Sequence, residues 1–235
     1  MSFNNWKEAF LFIRMICIVQ FVILTSIAML FYAGGTLVNP NSSGYSFWTN
    51  FFSDLGQTKG YSGKDNTVSY IIFTITLTIL GISTIFFAIA MPYIFEELEL
   101  ENALSTNGSI FFILSGIATI CVAFMPMDTF LIEHFLFVSA MTLTDFLGIL
   151  FYIIAIFHNK KYPNKYAFIF LISLVVGIIY VILIIRIPIY DITTTEKLMV
   201  WTAGQKIIIY INLICSFIVC VGALKLEKSL HRSLN

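Results

Sequence analysis

Charge is what this chain has least of. Only 11% of its 235 residues are Asp, Glu, Lys or Arg, against roughly 25% in an ordinary soluble domain. The hydrophobic share is 59% and mean hydropathy is +0.92. A soluble core of this length cannot take in so much apolar surface. That excludes a water-soluble globular protein and leaves a polytopic membrane protein, one domain over residues 1–235, with little outside the bilayer. Basic and acidic side chains cancel to a net charge of zero. No positive field exists to attract nucleic acid, so none is expected as a partner.

Cysteine is scarce and unpatterned. Cys17, Cys121, Cys215 and Cys220 all lie in apolar runs and none stands in CxxC spacing. This excludes a disulfide framework and a cysteine zinc site, and the four read as small packing residues. The GxSxG, HExxH, P-loop and glycine-rich dinucleotide patterns are missing too. No nucleophile, metal or cofactor is announced, and none is expected.

What the chain does have is six apolar runs near the roughly 20 residues that a membrane-spanning helix needs. They fall at about 13–32, 68–94, 110–125, 131–157, 166–188 and 198–224. The first is read as a retained helix rather than a signal peptide. Short links join most of them, which means antiparallel neighbours in an all-α six-helix bundle. The exception is the long loop 33–67, with turn signals at Gly34–Gly35, Asn39–Pro40 and Ser42–Ser43–Gly44. Its stretch "SFWTNFFSDLG" reads as a short re-entrant or interfacial helix, with Trp48 among the aromatics at headgroup level. Asn41–Ser42–Ser43 fits a glycosylation sequon, a pattern common by chance.

Lys and Arg set the orientation. Lys7, Arg14, Lys160, Lys161, Lys165, Lys225, Lys228 and Arg232 collect on one side; Lys59, Lys64, Arg186, Lys197 and Lys206 collect on the other. The expectation is a multi-pass protein of the cell membrane with both termini cytoplasmic and the long loop outside. The acidic run Glu96, Glu97, Glu99 and Glu101 then falls inside, in the link before helix 3.

Ionisable residues within the apolar runs are the functional candidates, because a charge in hydrocarbon is costly. Asp145 sits near the middle of helix 4 and Lys206 well inside helix 6. Lys206 is the obvious partner for Asp145; alternatively Asp145 is neutral and bonded to Thr142 or Thr144. Arg186 closes helix 5 at the outer boundary. A second set gathers at the outer rim: Asp54 in "SDLG", Asp128 in "PMD", then Glu133 and His134 in "IEHF". Carboxylates with one imidazole suit a cation, a cationic headgroup or proton exchange. One histidine is thin for a metal site, and Asp54 and Asp128 equally suit helix caps.

Three spots together resemble the six-helix membrane family called domain of unknown function 998. They are "NFFSDLG" after helix 1, with Ser53, Asp54, Leu55 and Gly56; Pro126 and Asp128 with His134 six residues on; and Gly204, Gln205 and Lys206 early in the last helix. Members of that family more often carry Arg at the basic place, so Lys206 departs from the pattern and lacks the guanidinium fork. The family is similar, more distantly, to the DRAM and Sfk proteins, some of which are tied to lipid handling. The resemblance therefore implies a lipid-related role. The expected site joins Asp54, Asp128, His134, Lys206, Trp48 and Gln205 in one outward pocket beneath the loop. The expected ligand is a membrane lipid or amphiphile. Alternatives are an intramembrane lipid hydrolase or acyltransferase, a small-solute or proton-coupled transporter, and a structural subunit. A second copy or a partner membrane protein is the company such a subunit would keep.

Overall fold

The structure, a computed structural model, describes residues 6–95 and 98–234, with side chains to residue 228. Glu96 and Glu97 of the acidic run, and the side chains of His231 and Arg232, lie outside the described residues. Six helices form: α1 (Trp6–Phe31), α2 (Thr67–Ala90), α3 (Glu99–Phe124), α4 (Leu131–His158), α5 (Lys165–Arg186) and α6 (Thr195–Leu234). All six are long and apolar enough to cross a membrane. No named strand occurs among the described residues.

Proline and acid residues set several boundaries. Pro92 stops α2 and turns its tail into one 3-10 turn, Met91–Ile94. Pro188 follows α5 by two residues and the helix ends ahead of it. The acidic residues expected in the link before helix 3 instead start the helix. Glu99 and Glu101 occupy its first turn, where the helix dipole favours negative charge, and the Glu101 carboxylate accepts the Leu98 N–H at 3.2 Å. That adds eleven residues ahead of the expected start at 110. Helix α1 likewise begins at Trp6, not near residue 13, so Arg14 lies well inside the helix and buried instead of at its start.

Each helix packs on the next, and α6 returns to α1, which closes a ring. Within it α2 and α3 touch backbone to backbone. A Cβ on Gly81 would stand 2.6 Å from the Gly116 carbonyl oxygen, and one on Gly116 would stand 2.8 Å from that of Gly81. Only glycine permits that approach.

The interior has two apolar layers. Away from the loop, Phe87, Phe95, Phe112, Tyr152, Tyr162 and Phe170 form a buried aromatic floor. Its hydroxyls are satisfied: Tyr152 shares a 2.6 Å bond with Ser109, and Tyr162 donates to the Val219 carbonyl at 2.7 Å. At the loop end Phe21, Tyr32, Phe52, Leu55, Phe73, Leu77 and Leu213 pack together. Two of these, Phe52 and Leu55, come from the loop. Outward-facing side chains such as Leu30, Ile132 and Ile185 are largely exposed, as lipid-facing residues are in a membrane bundle.

Candidate functional site

The loop between α1 and α2 fills the mouth of the ring. Gly35, at φ +86°, turns the chain there, and a Cβ on it would stand 2.4 Å from the Ser62 nitrogen. The expected interfacial helix contracts to a single 3-10 turn, Ser53–Gly56, with Asp54, Leu55 and Gly56 buried. It is short because its own side chains take up its backbone bonds. The Asn50 amide donates to the Gly35 carbonyl and to Asp54 Oδ2, each at 2.9 Å, and the Phe51 N–H donates to the same oxygen at 2.8 Å. Asn66 closes the far side. Its amide donates to the Gln57 carbonyl at 2.8 Å and its oxygen accepts the Ala33 N–H at 3.0 Å.

Burial pushes the Asp54 carboxyl up to about 7, against the opposing pull of the Asn50 and Phe51 hydrogen bonds and the Lys206 charge. Burial, and then the same carboxylate, hold the Tyr45 phenol above its ordinary range.

Helix α6 grips the loop through one face, at positions 202, 205 and 206. The Thr202 hydroxyl donates to the Trp48 carbonyl. Gln205 Oε1 accepts the Phe52 N–H at 2.9 Å. The ammonium of Lys206 donates to the Asn50 carbonyl, and to the Thr202 carbonyl at 3.3 Å. Lys206 is only 1% exposed. Three loop rings surround its nitrogen: Phe47 at 5.3 Å, Phe52 at 5.4 Å and Tyr45 at 5.5 Å from the ring centres, within cation–π range. Among the described residues no carboxylate comes within the 4.0 Å of an ion pair. The Trp48 ring itself stays exposed.

Of the six residues expected in one pocket, Asp54, Asp128, His134 and Lys206 do not all meet there. Asp54 and Lys206 face the same mouth. Asp128 is exposed and acts from the rim: its carboxylate accepts the Thr58 N–H at 3.0 Å, the Thr58 hydroxyl at 2.6 Å and the Lys59 N–H at 3.1 Å. It caps a turn of the loop, not a helix; α4 begins after Phe130. His134 is buried at the start of α4, where its Nδ1 bonds the Met125 carbonyl at 2.7 Å. Arg186 is exposed in the last turn of α5. Among the described residues no three His, Cys, Asp or Glu side chains gather as a metal site would require.

Asp145 and Lys206 are not partners either. Asp145 Oδ2 accepts the Asn212 amide at 2.6 Å. The cation near it is Arg14, which sequence reading placed with the flanking charges. Arg14 Nε donates to Ser216 at 3.3 Å; Nη1 donates to Thr84 at 2.8 Å, Ser83 at 3.0 Å and the Leu80 carbonyl at 3.2 Å. A small cavity lies there, lined by Arg14 of α1, Thr84 and Phe87 of α2, Phe112 of α3, Asp145 of α4, Phe170 of α5, and Asn212 and Ser216 of α6. Every helix of the ring contributes.

Residues 25–222 match the family described as "Protein of unknown function (DUF998)". The chain belongs to that family. No curated protein and no solved structure matched, so the distant likeness to DRAM and Sfk proteins gains no support. Within the DUF998 match, the three recognised motifs have one common structural job. "NFFSDLG" is the inserted turn, Asp128 clamps the chain leaving it, and Gln205 with Lys206 holds it from α6. The DUF998 match also spans Asp145, Asn212 and Ser216, but Arg14 lies before its start. Sequence reading missed Asn50, Asn66 and Asn212, since a lone asparagine in an apolar chain carries no spacing signal. Arg14 was visible at the start of the expected first helix but was counted with the flanking charges, not as a residue of the bundle interior.

Proposed function

We propose that this membrane protein binds a lipid or amphiphile through an anionic headgroup at the loop end of the ring, with Lys206 as the receiving cation. One observation carries the reading. Lys206 is a buried ammonium with no carboxylate at ion-pair distance: carbonyls and ring faces that belong largely to the loop contact it, and the Asp54 carboxyl acts on it only from farther off. A buried cation with no anion in contact is costly, and a charge-assisted bond to a headgroup oxygen would offset that cost. The Asn50 carbonyl stands where that oxygen would bind, so the loop acts as a plug that the headgroup displaces. Gln205 and Thr202, released from Phe52 and Trp48, supply further polar contacts. The acyl chain lies along the lipid-facing surface beside the mouth.

On this reading the loop faces outward and both termini are cytoplasmic in the cell membrane. Arg14 and Lys206 both leave the count of flanking charges, because they are buried in the bundle. Seven against four remain, which keeps the positive excess on the side of the termini.

The test is lipid extraction and native mass spectrometry of the purified protein. The wild type is expected to retain one anionic lipid class above its share of the membrane. Lys206→Met is expected to lower that retention roughly tenfold, the worth of one charge-assisted bond. No enriched lipid on the wild type, or unchanged retention in Lys206→Met, would overturn the reading.

A further inference from the structure

The axial cavity is separate from the loop site. Asn212, which bonds Asp145, lies six residues beyond Lys206, roughly 9 Å along α6. Within the cavity two charged side chains are left incompletely satisfied. Arg14 uses Nε and Nη1, and its Nη2 makes no hydrogen bond to a described residue. Asp145 uses Oδ2, and its Oδ1 makes none. The two do not form a direct ion pair, since no contact between them falls within 4.0 Å. A carboxylate offers about four acceptor positions, and here one is filled.

The cavity measures about 10 Å³, close to the roughly 10–15 Å³ that one water needs. Its lining is polar on four helices, which suits a water with two to four partners. A hydrated metal ion does not fit, and the guanidinium already holds the cation's place. The species small enough to enter and to matter to Asp145 is a proton.

We propose that the axial cavity is a proton-binding site, in which one water between Arg14 and Asp145 passes a proton to and from the Asp145 carboxylate. On binding, an O–H bond forms at Oδ1 and the donor water or hydronium gives up its proton. On release the proton returns to water. The charge on the axis changes from zero to plus one and back.

The surroundings fit this role. Arg14 is the one charged side chain near Asp145 among the described residues. From α1, Cys17 also lies near the guanidinium, and α6 adds the Cys220 thiol with Asn212 and Ser216. Helix α2 offers Ser83 and Thr84, α3 offers Phe112 and α5 offers Phe170, none of them charged. Access is one-sided. Phe87, Phe112 and Phe170 seal the cavity toward the aromatic floor, each at most 4% exposed. Asp145 and Asn212 remain half-buried, and on this proposal the proton reaches them from the loop side.

Infrared difference spectroscopy of the reconstituted protein across acid and neutral pH tests the site. The wild type is expected to show a protonated-carboxyl band that shifts in deuterated water. Asp145→Asn should lose the band and Asp145→Glu should move it. Arg14→Gln should carry its midpoint to higher pH, because a neighbouring cation favours the ionised form. Asp145→Glu keeps the test decisive if the asparagine variant fails to fold. A band absent from the wild type, unchanged in both Asp145 variants, or unmoved in Arg14→Gln would overturn the proposal. None of these readouts depends on a lipid, so failure here and failure at the loop mouth are told apart.

Discussion

Asp54 is the residue on which the closed loop turns. Closed, its carboxyl is pushed up to about 7 by burial; exposed to water it returns to its ordinary value of 3.8. The closed form therefore holds a proton that the open form gives up, and protonation favours closure. The advantage is complete below about pH 4, declines as pH rises to about 7, and is flat beyond. A spin label on a cysteine at Trp48, whose ring is exposed, should gain mobility between those limits. In Asp54→Asn the pH slope should vanish. An equal slope in both proteins, or a label that tightens as pH rises, would contradict the assignment. Sequence alone picked out Asp54, because a carboxylate beside an apolar run stands out. It did not pick out the asparagines that hold it. Asn50 and Asn66 act through a chain reversal at Gly34 and Gly35, and that geometry has no period to read. Asp145 and Arg14 were both visible, yet their shared cavity depends on helix rotation around the ring.

At the level of elements, six helices were legible because five of the runs reach the roughly 20 residues that span a bilayer, and only the run at 110–125 falls short of it. Their ends were less so. Hydropathy ends where charge begins, whereas α3 starts on Glu99 and Glu101, which stabilise its first turn. The same effect put the expected start of α1 near residue 13, so that Arg14 looked like a flanking charge. The loop was legible as a polar insert with aromatics, but not as a plug, since insertion rests on contacts from residues some 70 and 150 positions away. Two expectations belong here. Asp128→Ala removes the acceptor for the Thr58 and Lys59 N–H groups. The loss should be about 1 kcal/mol, since water replaces part of an exposed bond. It should appear as faster amide exchange confined to residues near 58–60; unchanged exchange would mean that the clamp carries no weight. Gly81→Val forces α2 away from the Gly116 carbonyl. Overpacking of this kind costs about 1–3 kcal/mol or more, which should lower the unfolding temperature, while Ile82→Val on the exposed face should not.

For the whole molecule, the ring is sealed at one end by aromatic side chains and at the other by its own loop, with buried charge between. Orientation is tested by cysteines at two exposed positions. One at Lys59 should react with an impermeant reagent in intact cells and one at Lys161 should not; reversed labelling would invert the protein in the membrane. The central claim is that loop 33–67 is a plug, built into the bundle and tied to Lys206. Nearly every amide from Thr49 to Gly60 has an acceptor, among them Phe51 on Asp54, Phe52 on Gln205 and Lys59 on Asp128. Hydrogen exchange of the peptide spanning these residues, measured on the protein in a lipid bilayer, tests that claim most directly. Protection comparable to the helices is expected in the wild type, with a clear loss of protection in Lys206→Met. Exchange at the rate of a free loop in the wild type, or equal protection in both proteins, would contradict it.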